Sequence, residues 1–232
     1  SRVLLAAPSD RAYRMNKLVA PDDPMFGDMY NFYNNRQTGG SKGADIRAQG
    51  AWGVTTGSHE VVVAVCDSGV DITHPDLRDN IWRNPYPGTT DGVVDDYYGY
   101  NFYDMNNDIT DLFGYGTMAA GIIGASGSNG EGVVGVNWSV SIMVCRLTDW
   151  TGDFTEAAYI AKAIEYAVEN GAQVSNLGWG SYDTAGVIGS VLDYAAANNH
   201  IVVTGAGSEA LDLDKIKAFP ADYSVGHPNV VT

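Results

Sequence analysis

The chain has 232 residues, enough to bury a substantial core as one α/β domain. Lys and Arg number 13 against 28 Asp and Glu, and the net charge of −15 argues against nucleic acid and anionic membrane surfaces as partners. No apolar run approaches the roughly 20 residues of a membrane helix, and Ser1–Leu5 is too short for a signal peptide, so a leader is absent or already removed.

Residues 1–42 are rich in Pro, Asp, Asn and Gly and read as an irregular arm lying on the surface of a single domain, residues 43–232. A short helix is expected in GADIRAQGAWGVTTG, with Ala48, Ala51 and Trp52 inward, then a turn at Thr56-Gly57-Ser58. Val61–Cys66 is an unbroken apolar, β-branched run, the pattern of a strand buried on both faces. Residues 78–114 form an aspartate- and tyrosine-rich excursion without helical period. Small residues from Gly116 to Ala125 suggest a closely packed helix, and Ser141–Leu147 a second strand. The clearest helix follows, with Thr155 as N-cap, Glu156 in the first turn and Ile160, Ile164, Ala167 and Val168 on one face. Asn170-Gly171 supplies its left-handed stop. Then come a strand at Gln173–Leu177, a helix at Thr184–Asn198 and a strand at Ile201–Thr204. The alternation predicts a doubly wound parallel sheet with right-handed crossovers. Cys66 and Cys145 both sit in strand-like runs and read as buried free thiols, with no disulfide framework.

Asp67 follows the first strand directly and precedes Ser68-Gly69, which puts a carboxylate where open α/β sheets place their sites; a plain turn is the competing reading. Together, VVVAVCDSGVDITHPDL and FGYGTMAAG resemble two motifs of the subtilisin-like serine proteases (subtilases), D-S/T-G and G-H-G-T-H-V-A-G. The resemblance runs from about residue 20 to the end. In it Asp67 matches the aspartate that orients the catalytic imidazole, but Tyr115 stands where the family has its histidine and Met118 where it has a second one. A phenol does not accept a proton at neutral pH as an imidazole does. Outside the family context, a tyrosine here is expected to be a half-buried packing residue with a bonded hydroxyl. His59, His74, His200 and His227 do not align with the missing base.

Three further segments carry the resemblance. VSNLGWG, Val174–Gly180, matches the strand that lines the substrate cleft; Asn176, Trp179 and Gly180 fit, and Gly178 replaces a serine. The resemblance implies a cleft edge able to add an extended peptide. VVTGAGSEA matches V-A-A-A-G-N-x-G, with Ser208 in place of the asparagine that donates to the oxyanion. FPADYSVGHPNVVT matches a segment that precedes the nucleophile motif G-T-S-M-A, which does not occur in these residues. The expectation is a subtilisin-like fold missing its C-terminal part, with its sheet completed or covered by another protein chain. The function expected is that of a catalytically inactive subunit; a serine endopeptidase with its nucleophile on another segment is the alternative.

The resemblance also implies calcium, held by Asp76 of His74-Pro75-Asp76-Leu77 and by oxygens of the Ser128–Val133 loop including Asn129. Asp91, Asp95, Asp96, Asp104, Asp108 and Asp111 are further loop acids, either ligands or simply solvated. Family resemblance alone favours a secreted or organelle-lumenal location.

Overall fold

The computed structural model describes residues 18–88, 93–182 and 186–232. Six parallel strands form one sheet in the order β2-β3-β1-β4-β5-β6: β1 Gly57–Asp67, β2 Gly99–Asn101, β3 Ser139–Arg146, β4 Val174–Leu177, β5 Ile201–Thr204 and β6 Val230–Val231. From β1 the chain runs to the edge strand β2, returns to insert β3 between the two, then lays β4, β5 and β6 outward on the other side of β1. β1 is therefore the switch point, and Asp67 is its last residue.

The helices are α1 Ala48–Trp52, α2 Tyr115–Gly124, α3 Ala157–Glu169 and α4 Gly186–Ala197. Helices α3 and α4 cover one sheet face. Ile160, Ile164, Ile188 and Leu192 are buried there against Ala64, Cys66, Met143 and Cys145. Helix α2 covers the other face over β1 and β3, where Val63, Val65, Ile142 and Val144 pack with Ala120. Cover on this second face ends at β1. Val174, Asn176 and Val203 are half-buried, and Ile201 and Val231 remain 43% and 50% exposed. Leu177, Val202 and Val230, which face α3 and α4, are buried.

Several elements depart from the sequence reading. β1 begins at Gly57, so the expected turn at 56–58 lies partly in the strand, which pairs with Ser139 there. Ala51 is exposed, and Gly50 is buried beside Ala48 and Trp52. The excursion contains β2, whose Gly99 sits so close to the Val144 carbonyl that any Cβ would overlap it. Glu156, not Thr155, is the N-cap of α3: it is extended, at φ −64° and ψ 150°, and its carbonyl accepts the first helical N–H groups, of Tyr159 and Ile160. Residues 184 and 185 of the expected fourth helix lie outside the described residues; from Gly186 the four inward positions are buried as expected. Cys66 and Cys145 are free, buried and directly paired across β1 and β3.

The described part of the arm is folded onto the domain. Phe32 is buried with Trp52 and Val134, its ring 5.3 Å from that of Trp52, which in turn lies 5.2 Å from Trp138. Asp23 is buried too and accepts the Ser128 N–H at 2.8 Å.

Candidate functional site

Asp67 ends β1 buried, its Oδ1 accepting the Ser68 N–H at 2.7 Å. Burial raises its pKa above the ordinary carboxylate value, with the Asp111 charge adding to the rise and the Ser68 hydrogen bonds opposing it. Its side chain lies over two glycines. At Gly178 a Cβ would overlap Asp67 Oδ2, and at Gly116 it would meet the Gly69 carbonyl and the Asp67 Cβ. The carboxylate thus fills the space that a serine side chain at position 178 would need.

Ser68 couples this strand end to α2. Its hydroxyl donates to Asp111 Oδ1 at 2.8 Å and accepts the Gly116 N–H at 3.0 Å. Asp111 also takes the N–H groups of Phe113 and Gly114 at 3.0 and 2.8 Å on Oδ1, and the Thr117 N–H and hydroxyl at 2.9 and 2.6 Å on Oδ2. The N-cap residue of α2 is Gly114, which has no side chain to cap with; Asp111 does the capping from three residues upstream. Desolvation works against the Asp111 charge, but the hydrogen bonds from Thr117, Gly114 and Phe113 outweigh it and lower its pKa.

Tyr115 opens α2 and is 62% exposed, its ring stacked on that of Phe113 at 6.4 Å. This corrects the expected half-buried side chain with a bonded hydroxyl: no hydrogen bond to that hydroxyl is formed among the described residues. The site therefore has a buried carboxylate and a rigid helix entry, with no imidazole between them. The remaining histidines are engaged elsewhere. His74 Nδ1 accepts the Asp76 N–H at 3.2 Å, His59 bonds the Val140 carbonyl, His227 lies by Asp193, and His200 is buried under β4.

The cleft segment divides in two. Asn176 lies inside the sheet, paired with Val65 on one side and Val203 on the other, so it is no free edge. Beyond Leu177 the chain leaves the ladder. Among the described residues the backbone of Trp179 and Gly180 is unpaired, and this short stretch is the only part of the expected edge that can meet a peptide. It walls a cavity of about 330 Å³ between the ends of β4 and β5, lined also by Phe154, Leu177, Tyr182, Gly207, Ser208 and Glu209. Ser208 is exposed, and its N–H donates to Glu209 Oε2 at 2.9 Å. The same carboxylate accepts the Tyr182 hydroxyl. These bonds, that of Tyr182 foremost, lower the Glu209 pKa and raise that of Tyr182. Sequence reasoning missed both: Glu209 falls at the variable position of the VVTGAGSEA segment, and Tyr182 lies just beyond VSNLGWG.

Asp76 and Asn129 are brought together: Asn129 Nδ2 donates to Asp76 Oδ1 and the Val133 N–H to Oδ2, at 2.9 and 2.8 Å. The structure adds Asp23, which accepts the Ser128 and Asn129 N–H groups. Asp23 and Asp76 are buried with no cationic side chain paired to either among the described residues. Two buried carboxylates at one loop fit a hard cation in kind. The N–H donors already directed at them compete with it, and no cluster of three His, Cys, Asp or Glu exists among the described residues. Of the loop acids, Asp91 lies outside the described residues. Asp96 is buried and accepts from Asn84, Gly88 and Tyr166, and Asp108 pairs with the buried Arg146 at 3.5 Å. Asp111 and Asp96 are thus anchors of the fold, not solvated acids.

A family model described as the Subtilase family matches residues 58–232. A thermophilic serine proteinase of Bacillus sp. (strain AK1) is 37% identical over 158 residues, covering 68% of this chain and 35% of that protein. Thermitase of Thermoactinomyces vulgaris is 29% identical over 204 residues, covering 88% of this chain and 62% of that one. The chain thus spans between about one third and two thirds of these relatives. A solved protease of Pseudoalteromonas arctica is similar with a TM-score of 0.69 at 25% identity, covering 88% of this chain and 63% of that chain. No helix of the described residues is long and apolar enough to cross a membrane.

Proposed function

The chain belongs to the subtilase family, and from this we propose that it is a catalytically inactive, subtilisin-like subunit that serves as a structural or peptide-binding component of a larger assembly. The observation that carries the reading is Tyr115: at the family's base position stands an exposed phenol, next to a helix entry that is otherwise fully built. Without an imidazole, Asp67 has nothing to orient, and its carboxylate lies over Gly178 instead. Ser208 in the oxyanion position removes a second contribution, where losing one donor typically costs about 100–1000-fold in turnover.

The assembly part of the reading is supported by the half-bare sheet. Ile201 and Val231 on the face away from α3 and α4, with Met118 and Ile122 exposed on α2 at 58% and 60%, are the apolar surface another protein segment would cover. The peptide part is supported by the unpaired backbone at Trp179 and Gly180. Calcium bound at Asp23, Asp76 and Asn129 belongs to the same proposal, as does a secreted or organelle-lumenal setting.

The rival reading, a serine endopeptidase whose nucleophile lies on a separate segment, is favoured by the Bacillus sp. relative, which is named as a serine proteinase, and by the intact Asp67. A fluorophosphonate probe decides between them. The proposal expects no covalent labelling of the native material containing this chain. Stoichiometric labelling of a serine in the same complex, lost on Asp67→Ala, would show a working acyl-transfer site and end the inactive-subunit reading.

A further inference from the structure

Cys66 and Cys145 stand directly opposite each other in the neighbouring parallel strands β1 and β3. Side chains alternate between the two faces of a sheet, so an in-register parallel pair points the same way. Both thiols face α3 and α4, fully buried, and a hydrogen bond joins them. Adjacent strands run about 4.8 Å apart, and disulfides bridge Cα separations of roughly 4.4–6.8 Å. The pair is therefore within bridging distance with no change of register.

The surroundings narrow what two such thiols can do. Along the same row of the sheet Cys145 is flanked by Tyr100 and Cys66 by Leu177, both buried in the same cluster. No group of three His, Cys, Asp or Glu side chains able to hold a metal exists among the described residues. Structural zinc asks for about four ligands, and two thiolates alone in an apolar layer leave buried charge uncompensated. A disulfide is neutral, carries no donor that needs a partner, and suits an apolar layer. The chain has two cysteines, so within one molecule each has a single possible sulfur partner.

We propose that Cys66 and Cys145 are a disulfide-forming pair that staples β1 to β3, made by exchange with a small-molecule disulfide, such as oxidised glutathione, before the sheet closes or when it opens. One cysteine thiolate attacks the S–S bond of the reagent and releases one reduced glutathione. The second cysteine then displaces the other glutathione from the mixed disulfide. Two thiols lose two protons and two electrons, and one oxidised glutathione becomes two reduced ones. The loop closed by the bond holds β2, Asp76, Asp111, Tyr115 and all of α2. A loop of that length removes much entropy from the unfolded chain, so the bond stabilises the fold. The inference is independent of whether the candidate site is active.

The test uses the reduced 232-residue chain, held at its urea midpoint in a mixture of oxidised and reduced glutathione, then returned to native buffer. At the midpoint the sheet opens and recloses continually, so the thiols are reached and the fold can choose the product. A parallel sample is oxidised in full denaturant. Each is then denatured, alkylated and weighed intact. The midpoint sample is expected to be about 2 Da lighter than the reduced chain and to take up no alkyl label. Its yield of the internal bond is expected to exceed that in full denaturant, where nothing holds the two thiols together. The bonded chain is expected to melt about 5 °C higher than the reduced one, and dithiothreitol should reverse the gain. Cys145→Ala is expected to end as a glutathione adduct with no such gain. Two alkylated thiols, or glutathione left on the wild-type cysteines, overturn the inference. So does an internal bond that forms equally well in full denaturant, or one that leaves the melting temperature unraised.

Discussion

Asp111 holds Thr117 twice, by its N–H at 2.9 Å and its hydroxyl at 2.6 Å, and through this pair a loop aspartate fixes the first turn of the helix that carries Tyr115. The same carboxylate reaches back to Ser68, beside Asp67. Strand end and helix entry are therefore one hydrogen-bonded unit, built whether or not a base stands at position 115.

Asp111→Ala is expected to destabilise the chain by about 1–3 kcal/mol, since it strips the cap and leaves the Thr117 and Gly114 donors without their partner. Its folded pKa is lowered, so the stability it contributes is present above the unfolded carboxylate value of 3.8 and is lost as pH falls through the folded value. Melting curves between pH 7 and pH 2 check this: wild type and variant should converge at the acid end. A constant gap down to pH 2 would show that the cap acts by packing alone.

Gly178→Ala is expected to cost about 1–3 kcal/mol, because a methyl there collides with Asp67 Oδ2. Asp67→Gly should remove most of that penalty, making the double variant more stable than the sum of the singles. A denaturant-melt cycle measures the coupling. Additive losses would mean that the carboxylate moves aside at no cost.

His200 is expected to make the chain acid-sensitive. Its Nδ1 faces the Ala172 carbonyl at 2.7 Å, so that nitrogen carries the proton and Nε2 accepts from Ser175 at 2.8 Å. Burial lowers its pKa, with the Ala172 hydrogen bond opposing. A base whose folded pKa is depressed is fully stabilising above its unfolded value of 6.5 and loses that contribution as pH drops below it. The melting temperature should therefore fall between pH 7 and pH 5, and His200→Gln, less stable throughout, should show a shallower fall over the same range.

Calcium at millimolar concentration is expected to raise the melting temperature by several degrees over a chelator control, through the Asp23, Asp76 and Asn129 loop. Asp76→Asn should erase the difference. An unchanged melting temperature with and without the ion would show that the N–H donors at these carboxylates leave no room for it.

The sheet and its helices were legible because each strand and helix carries its own period: Val61–Cys66 is continuously apolar, and Ile188, Val191, Leu192 and Ala195 repeat at helical spacing. β2 was not, since three residues lodged by a glycine against Val144 leave no pattern. Asp67, Tyr115 and Asp76 were found through motifs. Asp23, Asp111, Tyr182 and Glu209 were not, because their roles come from partners far along the chain or from loop geometry. Asn176 was placed on an edge because a single strand's sequence does not say how many neighbours it has; the register puts it inside the ladder.

The paired thiols of Cys66 and Cys145 sit beneath α3, sealed from solvent, and the hydrogen bond with Cys66, together with burial, pushes the Cys145 thiol well above its usual range. A thiol so placed reacts only when β1 and β3 separate. The rate at which a thiol reagent consumes these two groups in native buffer therefore reads out the opening of the central sheet itself, giving this chain a built-in clock for how long its fold persists between unfolding events.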